Sequence, residues 1–210
     1  MEGVLRLYEQ PAEPGTVRLC MDERPCQLLE EVMTPLAAEP GMPKRVDNKY
    51  KREGTCVVLL AYDIDKGMRY AQVREQRTKK DYAQFIDTIV REHYQGADKI
   101  KLVQDNLNTH TKGSFYEQLS VQRAGELSSL IDFEYTPKHG SWLNMAEIEF
   151  SALARQCLDE RIASIDQMKQ TVQAWTDNRN LRKVKIHWSF TVDKAREKMA
   201  SQYAKVNDTN

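Results

Sequence analysis

Three carboxylates in apolar settings are the residues of this chain best suited to chemistry. Asp22 ends the run Val17-Arg18-Leu19-Cys20-Met21, and Asp105 ends the run Lys99-Ile100-Lys101-Leu102-Val103-Gln104. Glu147 lies on an expected helix that follows Thr136-Pro137-Lys138-His139-Gly140-Ser141-Trp142-Leu143-Asn144. Burying a carboxylate among apolar neighbours costs several kcal/mol unless it is paired or metal-bound. Two such residues at strand ends and a third on a helix point to a divalent-metal site and to phosphoryl transfer. If the two strands are parallel neighbours, they stand about 4.8 Å apart, and ligands gather at such carboxyl ends. Carboxylates there can share cations about 3.5–4 Å apart, the spacing of two-metal displacement at phosphorus.

The expected helix carries two glutamates. At about 100° per residue, Leu143, Ala146, Phe150, Leu153, Ala154, Cys157 and Leu158 form one apolar stripe. Glu147 falls inside the edge of that stripe and Glu149 on a wetter face, so Glu147 is the expected ligand. Glu23, Asn106 and His110 are auxiliary candidates. Glu23 is read as a supporting or an exposed acid, and His110 as an orienting or phosphate-contacting group. Trp142 reads as core more readily than as a base-stacking platform. The four histidines are too dispersed for a histidine zinc site, and no Ser-His-Asp set or phosphate-binding glycine loop is present.

The elements that must position these groups are legible from pattern. Residues 1–16 hold Pro11, Pro14 and Gly15 and read as a lead-in with at most a helical turn. Residues 17–22 read as a buried strand, Gln27–Val32 as a short helix, and 33–52 as a proline-rich loop running into a basic stretch. Residues 56–62 and 68–75 form an expected hairpin around Asp65-Lys66-Gly67. Thr78 is placed to cap a helix whose Tyr82, Phe85, Ile86, Ile89, Val90 and His93 recur at helical spacing. Strands follow at 99–105 and 131–135, and helices at 114–130 (in part), 143–158, 165–175 and 192–203. A strand, a hairpin, a crossover helix and further strands imply an α/β fold with a mixed sheet flanked by helices.

The chain has 210 residues, 31 basic and 31 acidic, hence zero formal charge. That disfavours a protein gripping DNA by bulk charge alone. Charge is locally uneven, with Lys44, Arg45, Lys49, Lys51 and Arg52 in one group and Arg74, Arg77, Lys79 and Lys80 in another. Both are candidate DNA-phosphate contacts. Arg179, Arg182, Lys183 and Lys185 form a third basic group. No stretch approaches the about 20 apolar residues of a membrane span. The four cysteines are scattered and read as reduced structural thiols, which fits a cytoplasmic protein.

Cys20-Met21-Asp22-Glu23-Arg24-Pro25, Asp105-Asn106-Leu107-Asn108-Thr109-His110 and Tyr135 through Glu147 resemble the three catalytic blocks of DDE transposases. They are most similar to those of the bacterial insertion-sequence-630 group of the mariner superfamily. Arg77-Thr78 and Asp81-Tyr82-Ala83 resemble that group's connector. The resemblance implies a ribonuclease-H-like catalytic domain over residues 17–205, with a five-stranded sheet. It implies two Mg²⁺ or Mn²⁺ ions held by Asp22, Asp105 and Glu147, with DNA as partner: transposon ends to be cut and target DNA to be attacked. A homodimer and a nucleoid-associated location are further expectations. Two departures stand out. The 41 residues between Asp105 and Glu147 (positions 106–146) exceed the usual spacing, and no end-recognising helix-turn-helix precedes Val17. A ribonuclease-H-like nuclease without strand transfer, or a silent remnant serving in DNA binding or dimerisation, are the alternatives.

Overall fold

The computed structural model describes residues 1–43, 45–201 and 203. Five strands, β1 (Thr16–Glu31), β2 (Tyr50–Asp63), β3 (Met68–Arg74), β4 (Lys99–Gln104) and β5 (Ile131–Tyr135), form one sheet of order β3-β2-β1-β4-β5. The β1–β2 and β2–β3 pairs are antiparallel, whereas β1–β4 and β4–β5 are parallel. This is the expected mixed sheet. The parallel steps are bridged by helices, as parallel neighbours require: α2 (Lys79–His93) precedes β4, and α3 (Lys112–Gln118) and α4 (Val121–Leu130) precede β5. A short 3₁₀ turn, Ser141–Leu143, then leads into α5 (Met145–Cys157), α6 (Ile165–Leu181) and α7 (Val192–Lys198).

Strand alternation divides the core between two faces. On β1, Cys20 packs with α5, α6 and α7, while Leu19 and Met21 pack with α2, α3 and α4. Residues 2–9, expected as part of a lead-in, form helix α1, whose Val4, Leu5 and Leu7 are buried in the Cys20-side core. Thr78 caps α2 as expected, and Asp81 returns the bond to the Thr78 N–H, completing a capping box.

Two expectations about β1 fail together. Asp22 does not end the strand, and Gln27–Val32 is not helical; β1 runs on to Glu31. Its last five residues, Gln27–Glu31, pair with Tyr50–Thr55 of β2, of which 50–52 were expected to be loop, with a register shift between Leu28 and Leu29. That ribbon is largely exposed and has no apolar alternation of its own. Its conformation comes from cross-strand hydrogen bonding and from a rest against the α5–α6 connection, where Leu29 N donates to Ile162 O at 2.8 Å.

Candidate metal and nucleic-acid site

The parallel register of β1 and β4 brings the two aspartates to matching positions. Cys20 pairs with Val103, and Asp22 and Asp105 each lie two residues further on, facing the same side as that pair. β4 stops at Gln104 while β1 continues, so Asp105 opens a loop at the sheet's end. Helix α5 delivers Glu147 to this point. Pro137 packs so closely on Gly140 that a Cβ there would stand 2.6 Å from the Pro137 Cγ and 2.9 Å from its carbonyl oxygen. Only glycine fits this turn, which sets up the entry into α5.

Asn144 then joins the helix to the sheet. Its Oδ1 accepts from Ala146 N at 3.1 Å, capping α5, and its Nδ2 donates to Met21 O at 2.8 Å. The same Nδ2 stands 3.5 Å from Asp22 Oδ2. Glu147 sits in the first turn of α5, where the helix dipole favours a negative charge. Sequence reasoning assigned Asn144 no role. Its position before an apolar helix signals a cap, but nothing local reveals the bond to β1.

The electrostatics show the three acids as neighbours. Burial pushes the Asp22 carboxyl up to about 7, and the charges of Glu147, Asp105 and Glu23 add to the rise; the hydrogen bond from Glu23 N, 2.8 Å to Asp22 Oδ1, opposes it. Among the described residues, no three histidine, cysteine, aspartate or glutamate side chains form a preassembled metal cluster. The expected convergence is therefore one of charge, not a finished ligand cage. Like charges at this range repel, and a shared cation is what would draw them closer.

The stripe argument for Glu147 is corrected by the structure. Glu147 is exposed, and Glu149, expected on the wetter face, is fully buried. The buried positions on α5 are Met145, Ala146, Glu149, Phe150 and Leu153, a stripe rotated from the expected one. Two arginines make the burial of Glu149 tolerable. Arg69 of β3 contacts it at 2.6 and 2.8 Å, and Arg179 of α6 at 3.0 Å through both Nε and Nη2. Burial alone would raise the Glu149 pKa, but these two guanidinium groups hold it below the usual carboxylate range. The charge of Glu147 reaches Asp22, whereas Glu149 is committed to Arg69 and Arg179.

Of the auxiliary candidates, Glu23 and His110 are buried together, with His110 Nε2 2.6 Å from Glu23 Oε2. Its Nδ1 is 2.6 Å from Asp105 Oδ1. Burial lowers the His110 pKa, but the hydrogen bonds to Asp105 and Glu23 outweigh it and lift the value to about 9. His110 is fully buried between Glu23 and Asp105, which leaves its ring no opening to a phosphate. Asn106 is exposed on the loop. Trp142, expected as core, is half-exposed and meets Phe190 edge-on.

The basic candidates are divided. The register Pro25–Val57–Arg74 carries the Arg74, Arg77, Lys79 and Lys80 group to the same end of the sheet as Asp22 and Asp105. Arg77 is nearest the site, its Nε 3.4 Å from Glu23 Oε1. Lys79 pairs with Glu117, and Arg74 donates to Gln72. Arg45, Lys49, Lys51 and Arg52 are exposed around the start of β2, with Lys51 held by Glu30 and Glu53. Lys44 lies outside the described residues. In the third basic group, Arg179 is committed to Glu149.

The sequence profile of the DDE superfamily endonucleases matches residues 17–169. The chain belongs to that family. A comparison with curated proteins finds no match. Among solved structures it is similar to the Mos1 mariner paired end complex with Mn, with a TM-score of 0.55 at 15% identity, covering 86% of this chain and 54% of that one. The Mos1 Strand Transfer Complex gives 0.56 at 15% identity, covering 86% and 53%. The catalytic domain of Mos1 mariner transposase gives 0.57 at 13% identity, covering 87% and 81%. The chain thus spans about half the length of the first two. Its fold is ribonuclease-H-like, with the expected five-stranded sheet.

The metal-free protein should lose stability as pH rises. The folded Asp22 keeps its proton up to about 7, whereas the unfolded carboxyl releases it near the ordinary aspartate value of 3.8. The folded state therefore binds more protons across that window, and Asp22's contribution, full below it, falls away by about pH 7. His110 extends the trend, because its contribution is full below 6.5 and is lost through about 9. Thermal melts in chelator across this range check it. A melting temperature that climbs steadily between pH 5 and 9 would contradict the assignment.

Proposed function

We propose that this chain catalyses divalent-metal-dependent cleavage of DNA and transfer of the freed strand end, at a site held by Asp22, Asp105 and Glu147. The observation that supports the reading is that Asp22 is buried and its carboxyl is raised by burial and by the charges of Glu147 and Asp105, which reach it from the first turn of α5 and the end of β4. The donor set fits Mg²⁺ or Mn²⁺, since it is all oxygen, anionic and hard. Two cations bound there would activate the attacking oxygen and neutralise charge on the leaving one. Asn144 fixes the spacing between α5 and β1, and Arg77 stands ready for a backbone phosphate. Family membership supports endonuclease chemistry. The similar Mos1 structures are a paired end complex with Mn, one with Mg, and a Strand Transfer Complex.

The test is incubation of the purified chain with labelled duplex DNA and Mg²⁺ or Mn²⁺, with products resolved on a denaturing gel. Cleavage that stops in chelator, together with a longer product joining a supplied 3′-hydroxyl end to target DNA, is expected. Cleavage without the joined product would favour a nuclease that does not transfer strands. No cleavage under any metal condition would favour the silent-remnant alternative.

DNA binding by these 210 residues should be weak, indifferent to sequence and steeply salt-dependent, because lysine and arginine contacts to phosphate release counterions. Arg77→Gln should reduce the slope of log K against log salt by about one. Titration of a labelled duplex at two salt concentrations measures this. Tight, sequence-selective, salt-insensitive binding would show a recognition element within the chain.

A further inference from the structure

Four polar side chains form an unbroken line through the protein: Arg77, Glu23, His110 and Asp105, with the two middle members buried. Arg77 is half-exposed, with Nε 3.4 Å from Glu23 Oε1. Glu23 and His110 are almost wholly enclosed and meet at 2.6 Å, and His110 reaches Asp105 at 2.6 Å. Glu23 and Asp22 are adjacent on β1 and point to opposite faces of the sheet. The imidazole can join the two faces only because β4 ends at Gln104, which leaves no strand in its way.

The backbone of His110 is anchored independently of its ring. His110 O already accepts from Gln104 Nε2 at 3.1 Å and from Tyr135 OH at 2.8 Å, and His110 N donates to Leu107 O at 3.0 Å. The Tyr82 ring packs against it, with centroids 4.8 Å apart. With the backbone anchored this way, the ring Nε2 meets the Glu23 carboxylate, and Nδ1 lies 2.6 Å from Asp105 Oδ1 and 3.4 Å from the Asp105 carbonyl oxygen. A buried ion pair is weak support for stability by itself, because desolvation offsets the attraction. Its value here is directional: one end of the line is a proposed metal ligand.

We propose that His110 and Glu23 are positioning residues for Asp105, the imidazole holding the carboxylate in place for cation binding and Glu23 holding the imidazole, with Arg77 completing the line at the surface. The proposal rests on the metal-site reading above and deepens it. Residues that orient metal ligands typically contribute about 10–100-fold to metal affinity.

Calorimetric titration of the full chain with Mn²⁺ tests this, with circular dichroism to confirm folding. His110→Gln should weaken Mn²⁺ binding by about 10–100-fold. Glu23→Gln should weaken it in the same direction, and the double variant should be no worse than His110→Gln, because the two act through one line. At saturating Mn²⁺, cleavage by Glu23→Gln should recover toward the wild-type rate, which separates positioning from chemistry. If His110→Gln lowers the melting temperature but leaves Mn²⁺ affinity within about twofold, the line is structural and the proposal is overturned. If His110→Gln does not fold, unchanged affinity in Glu23→Gln overturns it equally. A wild-type chain that binds no Mn²⁺ brings down the metal-site reading itself and this proposal with it.

Discussion

Glu147→Gln is expected to abolish Mg²⁺-dependent cleavage while leaving the fold intact. Glutamine keeps the shape of the side chain and removes the charge that would help hold a cation. If cation-borne stabilisation of the transition state drops by about 4 kcal/mol, the rate falls about a thousandfold. Glu147 is exposed in the first turn of α5, so its loss opens no cavity and strands no buried partner. The melting temperature in chelator should hold or rise slightly, because one of the charges that raise the Asp22 carboxyl is gone. A cleavage rate within tenfold of wild type, in a protein that melts normally, would remove Glu147 from the site.

Glu149→Gln is expected to do the reverse, destabilising the protein strongly without touching the metal site. The Arg69 side chain is fully enclosed and that of Arg179 is 13% exposed, and both lean on the same carboxylate. Neutralising it leaves two buried or nearly buried guanidinium groups without a counter-charge, a loss of about 3–5 kcal/mol. Against a typical total stability of about 5–15 kcal/mol, that is a large fraction. Arg69 would keep its bonds to Gly67 O at 2.7 Å and Val184 O at 2.6 Å, which satisfy two of its N–H groups but not its charge. Urea unfolding of both glutamate variants makes the comparison direct. A Glu149→Gln midpoint equal to wild type would mean the Arg69–Glu149–Arg179 staple contributes nothing net. Cleavage lost at a temperature where the variant is still folded would instead move Glu149 into the active site.

The contrast between these two residues separates what local pattern reveals from what it cannot. The sequence alone determined the elements whose signals are short-range. The apolar runs of β4 and the β2–β3 hairpin declared themselves, as did the helical spacing of α2 with its Thr78–Asp81 cap. Asp22 and Asp105 were legible for the same reason: each interrupts an apolar run, and an ionised group there needs an explanation. Glu147 was chosen over Glu149 by a burial argument that the structure overturns.

Tertiary structure decided the rest, because burial of a charge depends on where its counter-charge comes from. Glu149 looked wet on a helical wheel, yet Arg69 and Arg179 reach it from a distant strand and a later helix, and paired charge can go where unpaired charge cannot. The far half of β1 carries no apolar alternation and exists through hydrogen bonds to β2. His110 could be placed near Asp105 by chain proximity, but its second contact, Glu23, arrives from a neighbouring strand. Asn144 likewise reads as a cap until the sheet packs beneath it and supplies Met21 O as an acceptor. Periodicity reports the preferences of one segment at a time. Ion pairs and cross-strand bonds are formed between segments, so their outcome is set only once the sheet has brought those segments together.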